Sequence, residues 1–442
     1  MSQTSLITWI TAGAVLMLVA AYGIGAPFLL LRTALTTSRR RRLRYRPLDD
    51  EVLATSRFTI PVSLLLPIAG VVPGASGAVR RALQFRYPET ELIVVTSGAP
   101  EALESLRREF ELSPCELFFR RTLPAQNVGV IYRSQREPRL LVADMTAGTV
   151  GDFLNCGANL ARYRYVCALD ADATYHPDGL LEAMPAALED PSLVVGVTTS
   201  LSVRPVESVS SALDGLAPSG LVEAFRYLAA ARTRLLTVGR RRLDLPPGGC
   251  PGFTIWRRDS LVDVGGFDGD GLAVHSDMTF RIHRHYGGDH RRYRIIHMTE
   301  PVGTIDHDTA RRHMVVAGYV PWSVLWRHKG MAFNPRLGRL GMLDFPRYLF
   351  NMVVAPWLEL LALALLAAAI PLGVLTAGQL LLVLFILGLG SGVVAMCALL
   401  LSGDLGRDAR PAALFNVLLV GPLEYFLTRP ALLWSRLTSA RP

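Results

Sequence analysis

The sequence has few of the features that mark several common classes of protein. It has only five cysteines in 442 residues, and no two of them form a Cys-x-x-Cys pair. We interpret them as reduced, buried side chains, which speaks against a disulfide framework and a cysteine-ligated zinc site. A Walker loop, a Gly-x-Ser-x-Gly motif, a Gly-x-Gly-x-x-Gly motif after a strand and an internal repeat are also missing.

Charged residues are scarce as well. They make up 19% of the chain, whereas 50% of the residues are hydrophobic, and this balance is typical of membrane proteins. The formal net charge is nevertheless +9. A basic excess suits either nucleic acid or the anionic cytoplasmic surface of a membrane. We expect membrane lipids, and no nucleic acid, as the partner.

No charged residue interrupts the stretch from Ile7 to Leu31. At about 1.5 Å per residue, this stretch is long enough to cross a hydrocarbon core of about 30 Å. It lacks the basic n-region and the cleavage site of a signal peptide. The positive-inside rule places the arginine-rich run from Arg39 to Arg46 in the cytoplasm, with the N-terminus outside. We therefore predict a transmembrane helix over residues 1–34 and a basic linker over 35–57.

The C-terminal part is apolar again. The stretches from Tyr348 to Leu375 and from Leu380 to Ser402 have the length and composition of membrane spans. A third stretch, from Pro411 to Leu427, is shorter and contains a proline and a glutamate, so it can span, kink or re-enter. Residues 347–434 are thus predicted to hold two or three transmembrane helices. The chain would be a multi-pass protein of the cell (inner) membrane with a cytoplasmic central domain.

The central part alternates between strand-like and helix-like segments. This alternation predicts an α/β domain with a largely parallel sheet, whose ligands bind at the carboxyl ends of the strands. The predicted strands are Phe58–Leu66, Glu91–Val95, Arg139–Ala143 and Tyr165–Leu169. The predicted helices are Ala75–Phe85, Pro100–Phe110 and Gly151–Arg162.

One of these strands leads into the segment CALDADATYHPDGL, residues 167–180. Asp170 and Asp172 follow its apolar run, and on extended backbone the side chains of residues i and i+2 point the same way. Two converging carboxylates require a cation, and their oxygens suit Mg²⁺ or Mn²⁺, which is commonly shared with a substrate's phosphates. A second such pair, Asp268 and Asp270, lies in a Gly-rich loop, where a solvated turn is the simpler interpretation.

Further motifs follow in a distinctive order. A glycine-led segment begins at Gly248, a Gly-Gly-Phe triplet begins at Gly265, and Ser276 and Asp277 head a helical stretch. Together with the aspartate pair, this order resembles that of family 2 glycosyltransferases of the GT-A fold. Their membrane-bound branch, which includes cellulose, hyaluronan and chitin-oligosaccharide synthases, is similar along the whole chain. The resemblance implies a Rossmann-like GT-A domain over residues 58–312, flanked by transmembrane helices.

The resemblance also implies roles for individual residues. Asp172 would bind the divalent metal at the diphosphate of a nucleotide-sugar donor, and Asp170 would meet the metal and the donor's sugar or ribose. Asp277 would be the general base, which takes the proton from an acceptor hydroxyl as that oxygen attacks the anomeric carbon. Three consecutive residues would line the acceptor pocket with close backbone: Gly248, Gly249 and Cys250.

At the donor site the chain departs from the family. Ser97 stands where the family has an aspartate that holds the base or ribose. Asn155 matches a family asparagine, but the lysine that precedes this asparagine in the family is missing here. The Gln-x-x-Arg-Trp signature of processive synthases is absent. In its place Arg311 and Arg312 could clamp a diphosphate, or they could form a basic surface beside the membrane. His307, just before them, could complete the metal's ligand shell.

Residues 313–346 are predicted to form an amphipathic interfacial segment, because aromatic residues such as Trp326 and Phe345 alternate with basic ones.

Three interpretations of the chain stay open. The first is an inverting, metal-dependent glycosyltransferase that adds one or few sugars to a lipid or membrane-proximal glycan. The second is a processive polysaccharide synthase with a divergent signature, and the third is a degenerate glycosyltransferase-like scaffold in a synthase complex. The presence of Asp170, Asp172 and Asp277 together favours an enzyme, since a scaffold needs none of them.

Overall fold

The structure is a computed structural model, and it describes most of the central part of the chain. The described residues are 59–69, 74–98, 100–125, 128–199, 201–203, 252–269, 273–289, 291–298, 302–305, 320, 322–354 and 376–402, with a few isolated positions elsewhere. The predicted basic linker and the third C-terminal apolar stretch lie outside these residues, as does the predicted N-terminal span apart from Gly13.

The described residues include twelve strands. They are β1 (Val62–Ala69), β2 (Thr90–Ser97), β3 (Leu112–Pro114), β4 (Val128–Ser134), β5 (Leu140–Met145), β6 (Tyr165–Leu169), β7 (Ala173–Tyr175), β8 (Val194–Thr199), β9 (Ser202–Val203), β10 (Phe253–Arg257), β11 (Arg294–His297) and β12 (Gly303–Ile305). Nine of them form one sheet in the order β11-β8-β10-β6-β1-β2-β5-β4-β3, and β7, β12 and β9 form a small second sheet.

The main sheet is mixed and mostly parallel. Strands β6, β1, β2 and β5 are parallel neighbours, so their carboxyl ends meet at one edge. Strand β10 runs antiparallel between β6 and β8, and β4 pairs antiparallel with β5. The expected α/β class and the parallel core of the sheet are thus confirmed, whereas hydrophobic periodicity gave no indication of the antiparallel strands.

Helices cover both faces of the sheet. They are α1 (Ala75–Leu83), α2 (Pro100–Phe110), α3 (Val150–Leu160), α4 (Gly179–Leu188), α5 (Arg258–Asp263), α6 (Ala273–Gly288), α7 (Trp322–Arg327), α8 (Phe345–Leu349) and α9 (Ala377–Ser402). Leu64 and Leu66 of β1 are buried with α1, α2 and α4, whereas Leu65 between them is buried with α3 and α6. Strand β1 is therefore apolar on both faces, which explains its near-continuous hydrophobic sequence.

Residues 322–354 form a series of short helical turns that docks on α6. Besides α7 and α8, its turns are Lys329–Met331, Pro335–Leu337, Leu340–Asp344 and Phe350–Val354. Phe280 of α6 packs edge-on against Phe345 and Tyr348 of this segment. Phe345 is therefore fully buried, unlike the interfacial position expected from its alternation with basic residues. Trp326 remains largely exposed, with Lys329 Nζ 3.9 Å from the centre of its ring.

Helix α9 covers the second predicted C-terminal span. Counting only the residues that the structure describes, no helix reaches the length and hydropathy needed to cross a membrane. The transmembrane helices therefore remain a prediction from the sequence.

A buried histidine joins α6 to the sheet and gives the fold a testable pH dependence. Nδ1 of His275 lies 3.1 Å from the hydroxyl of Thr254 in β10. Burial lowers the pKa of His275 to about 4, whereas an unfolded chain protonates a histidine below about pH 6.5. The unfolded state therefore binds the extra proton between these values, and the free energy of unfolding should fall as the pH drops through this window. The loss is on the order of 3 kcal/mol, since one pKa unit corresponds to about 1.4 kcal/mol.

We expect His275→Asn to abolish much of this dependence, because its side-chain amide can hydrogen-bond with the Thr254 hydroxyl but does not titrate. The measurement is the thermal midpoint of the full-length wild type and of the variant at pH 7 and pH 5. An equal decrease of the midpoint in both proteins would show that other groups cause it.

Candidate active site

The aspartate pair lies in a turn and not on extended backbone. Strand β6 ends at Leu169, and residues 171 and 172 form a turn before β7 begins. The backbone N–H of Asp172 donates to Oδ1 of Asp170 at 2.9 Å, so the first carboxylate closes the turn that carries the second. The geometry expected for an i and i+2 pair on a strand is therefore wrong, and a side-chain-to-backbone bond typical of aspartate in turns brings the two residues together.

An arginine of α1 fixes the backbone of this turn. Arg81 Nη2 donates to the carbonyl oxygen of Ala171 at 2.8 Å, and its Nε donates to that of Ala173 at 3.1 Å. A guanidinium is planar and presents several donors in a rigid fork. The carbonyls on either side of Asp172 are thus held by one side chain from a different element, which restricts the backbone of the turn.

A tyrosine hydroxyl holds the other side of the turn. The Tyr175 hydroxyl accepts from the N–H of Asp170 at 2.6 Å and donates to the carbonyl oxygen of Gly252 at 2.7 Å. The ring is buried against Phe85 and Phe253, with centroids 5.6 and 5.8 Å away. The start of β10 is thereby tied to the end of β6, which carries the aspartate pair.

Polar side chains also lie at the carboxyl ends of β2 and β5, the next two strands of the sheet after β1. Ser97 is the last residue of β2, and Gly98 after it has a φ of 64°, a conformation that favours glycine. The hydroxyl of Thr96 donates to Oδ1 of Asp144, in the paired position of β5, at 3.3 Å. Asp144 lies within β5 and was missed in the sequence, although it follows an apolar run of residues, 140–143, as Asp170 follows that of β6. The carboxyl edge of the sheet therefore offers an acid beside Ser97, where the family resemblance suggested that one had been lost.

Asn155 has a different role from the donor contact that the resemblance implies. Its Oδ1 accepts from the N–H of Phe267 at 2.7 Å, and its Nδ2 donates to the carbonyl oxygen of the same residue at 2.9 Å. Gly266 has a φ of 81°, and a Cβ there would collide with the Asn155 amide. Both ends of the amide are thus used to anchor the Gly-Gly-Phe triplet to α3.

Asp277 lies in the first part of α6 and is only 1% exposed. Its Oδ1 is 2.8 Å from Nε2 of His328 and 3.3 Å from Nη1 of Arg327. Its Oδ2 is buried and has no hydrogen-bond partner among the residues that the structure describes. An unsatisfied buried carboxylate oxygen costs free energy, so its retention suggests that something outside the described atoms uses it.

Arg327 connects Asp277 with the second aspartate pair. The same Nη1 atom that faces Asp277 lies 3.0 Å from Oδ2 of Asp268. Asp268 therefore belongs to an ion-pair network and is not the isolated solvated turn that its Gly-rich surroundings suggested. The arginine is 46% exposed, so solvent screens much of this interaction.

The strand register relates Asp277 to the aspartate pair. Thr254 of β10, which contacts His275 two residues before Asp277, is paired with Ala168 of β6. Ala168 is two residues before Asp170. The N-terminal part of α6 is consequently attached to the same edge of the sheet from which the aspartate turn emerges.

Several predicted site residues lie outside the described part of the chain. These are Gly248, Gly249 and Cys250 of the acceptor segment, together with His307, Arg311 and Arg312. Among the described residues, no group of three or more His, Cys, Asp or Glu side chains could hold a metal ion. The aspartate pair by itself offers two carboxylates.

Comparisons with known proteins complete these observations. No protein-family model matches the chain, and no curated protein matches it. The mannosyltransferase of Pyrobaculum calidifontis, solved with GDP-Man and Mn²⁺, is a similar structure with 18% identity and a TM-score of 0.47, over 95% of this chain and 99% of its own. TarS of S. aureus has 13% identity and a TM-score of 0.38, over 84% and 92%. Glucosyl-3-phosphoglycerate synthase of Mycobacterium tuberculosis has 15% identity and a TM-score of 0.37, over 65% and 86%.

The anchoring of the turn generates a prediction about metal binding. Tyr175→Phe removes the acceptor for the N–H of Asp170, and a buried donor without a partner costs about 1–3 kcal/mol. Because the turn loosens, the affinity for Mn²⁺ in the presence of a nucleoside diphosphate should fall by about tenfold, as for other groups that orient metal ligands. Calorimetric titration of the full chain with Mn²⁺ measures this.

Tyr87→Phe is the matched control. The Tyr87 hydroxyl also donates to a backbone carbonyl, that of Ile60 at 2.8 Å, and its ring is likewise buried. It lies at the opposite end of β1, so its loss should reduce stability without changing the affinity for Mn²⁺. A similar affinity in both variants would contradict the role of Tyr175.

Proposed function

We propose that the chain is an inverting, metal-dependent glycosyltransferase of the GT-A kind. It would transfer a hexosyl or N-acetylhexosaminyl group from a nucleotide sugar to a lipid or membrane-proximal glycan. The observation that carries this proposal is that the helix bearing Asp277 is attached to the edge of the sheet from which the aspartate turn emerges. Asp170 and Asp172 lie in a turn clamped from both sides, and Asp277 is buried on that helix with one oxygen unbonded among the described residues.

The aspartate turn fits a divalent metal that is shared with a substrate. Mg²⁺ usually keeps several waters and is bound through one or two carboxylates plus substrate phosphates, so two aspartates suffice. Asp170 uses Oδ1 to hold the turn, and Asp172 would be the main ligand. When bound, Mg²⁺ or Mn²⁺ neutralises the charge that develops on the leaving diphosphate. Ser97 and Asp144, at the next strand ends, would meet hydroxyl groups of the nucleoside.

Asp277 would act as the general base. Because Oδ1 is already hydrogen-bonded, Oδ2 would be the oxygen that takes the proton from the hydroxyl of an acceptor. Removal of the proton makes the acceptor oxygen a better nucleophile toward the anomeric carbon on the face opposite the nucleotide, which inverts that centre. A scaffold would gain nothing from an acid with a buried oxygen that is unbonded among the described residues, because such a group destabilises the fold.

The segment over residues 322–354 supports an acceptor at the membrane surface. Trp326, Phe333 and Leu343 are among its exposed apolar side chains, and exposed basic residues such as Arg336 and Arg339 lie between them. Aromatic and basic side chains together suit the headgroup region of an anionic bilayer. We propose a cytoplasmic catalytic domain on the inner membrane, with membrane lipids and a synthase-complex subunit as partners.

The test uses full-length protein, a panel of nucleotide sugars, and Mn²⁺ or Mg²⁺, with released nucleotide as the readout. In the presence of metal, the wild type should release nucleotide from one of the nucleotide sugars in the panel. A chelator should abolish this release. Asp172→Asn should abolish metal-dependent donor binding, because it removes an anionic ligand. Asp277→Asn should lower kcat by about 10²- to 10⁴-fold and spare donor binding, as expected for a base that acts only in the chemical step.

Asp178→Asn is the matched control for both variants. Asp178 is also an aspartate near the turn, but it forms an exposed ion pair with Arg86 at 2.8 Å, so its removal should have little effect. Unchanged turnover in Asp277→Asn would remove this residue from the mechanism. Metal-independent donor binding in the wild type would contradict the whole proposal.

A further inference from the structure

The carboxylate of Asp277 is held by a side chain from outside the sheet domain. His328 follows α7 in the segment that docks on α6, and its Nε2 lies 2.8 Å from Oδ1 of Asp277. The two side chains are 2% and 1% exposed, so water does not compete for this contact. We propose that His328 is a positioning residue that selects Oδ2 of Asp277 as the oxygen which takes the acceptor's proton. This inference rests on the proposed function.

Hydrogen-bond chemistry determines the tautomer of His328. An ionised carboxylate only accepts, so Nε2 must carry the proton and donate it. In the neutral ring Nδ1 then has no proton and needs no acceptor. This agrees with the surroundings of Nδ1, which is buried and has no hydrogen-bond partner among the described residues. A proton on Nδ1 would instead be buried without an acceptor, at a cost of about 1–3 kcal/mol.

Packing fixes the imidazole ring in this orientation. The ring lies 5.3 Å from that of Phe280, one turn after Asp277 on α6. Phe280 is itself enclosed by Phe345 and Tyr348. The backbone of His328 is also restrained, because its N–H donates to Val324 and its carbonyl accepts from Met331. A donor that is locked in place before the substrate binds need not reorganise during the reaction.

Arg327 makes a weaker contribution to the same oxygen. Its Nη1 is 3.3 Å from Oδ1 of Asp277 but 3.0 Å from Asp268, and the side chain is 46% exposed. The hydrogen bond from His328 is shorter and is buried from solvent. The orientation of the carboxylate therefore depends mainly on His328.

The chemical step assigns a separate task to each oxygen of Asp277. The acceptor O–H bond breaks and its proton moves to Oδ2, while the acceptor oxygen forms a bond to the anomeric carbon of the nucleotide sugar. The bond from that carbon to the diphosphate oxygen breaks, and its electron pair leaves with the diphosphate. The N–H of His328 stays on Oδ1 throughout, so the histidine orients the base and transfers no proton.

The variants His328→Leu and His328→Gln test this role in the full-length protein. Leucine removes the donor and keeps an apolar side chain against Phe280. Glutamine has an amide N–H that can reach Oδ1 from nearly the position of Nε2. We expect His328→Leu to lower kcat by about 10- to 100-fold, the usual range for groups that orient a functional side chain, with an unchanged KM for the donor. His328→Gln should retain kcat within a few-fold.

His283→Leu is the matched control. His283 is also buried on α6, where its Nδ1 lies 2.7 Å from the Tyr293 hydroxyl. Its loss should lower the thermal midpoint but leave kcat nearly unchanged. If His328→Gln is as slow as His328→Leu, or if His283→Leu lowers kcat equally, His328 only supports the fold and the proposal is overturned.

Two results separate this inference from the proposed function. If Asp277→Asn is inactive while His328→Leu matches the wild type, the positioning role fails and the base assignment stands. If Asp277→Asn is fully active, the base assignment itself fails. The tautomer gives a readout without turnover, because ¹⁵N NMR of labelled histidine, assigned by the signal lost in His328→Gln, should show a proton on Nε2 and none on Nδ1. A ring without a proton on Nε2 would overturn the proposal.

Discussion

The geometry of the candidate site depends on the closed turn between β6 and β7. Its closure combines the Asp170 carboxylate on the N–H of Asp172, the Tyr175 hydroxyl between Asp170 and Gly252, and the Arg81 guanidinium on the carbonyls of Ala171 and Ala173. The first bond lies within the turn, and the other two join it to the residue before β10 and to α1. Such a turn can present a carboxylate in a fixed position, which binding of a metal shared with a substrate requires.

Asp277 is held by two different parts of the chain. Its helix, α6, contacts the sheet, and its side chain contacts the segment over residues 322–354 that follows the sheet. His275 fastens α6 to Thr254, and His328 holds the carboxylate from the opposite side. The carboxylate is therefore held by a residue that lies 51 positions further along the chain. The segment over residues 322–354 packs on Phe280 and contacts Oδ1 of Asp277 through His328, so it contributes directly to the surroundings of this acid.

The sequence predicted the features that have a local origin. The alternation of apolar and helical segments identified the parallel strands, and the acids after Leu169 indicated the edge of the sheet that holds the candidate site. It did not predict contacts made over long distances in the chain, such as the pairing of the Asn155 amide with Phe267, 112 residues away, or the support of Asp277 by His328. The antiparallel insertion of β10 was missed because hydrophobic periodicity indicates which face of a strand is buried. It does not indicate which strand pairs beside it. Asp144 has the same local pattern as Asp170, an acid after an apolar run, and was predictable on that ground.

The most direct test of the account is to locate the metal in crystals grown with Mn²⁺ and a nucleoside diphosphate. An anomalous difference map identifies manganese without reference to any assumed site. The account predicts a peak at the carboxylate of Asp172, at a bonding distance of about 2 Å, bridged to the diphosphate, and no such peak in Asp172→Asn. A manganese and diphosphate bound away from the turn between β6 and β7 would contradict it.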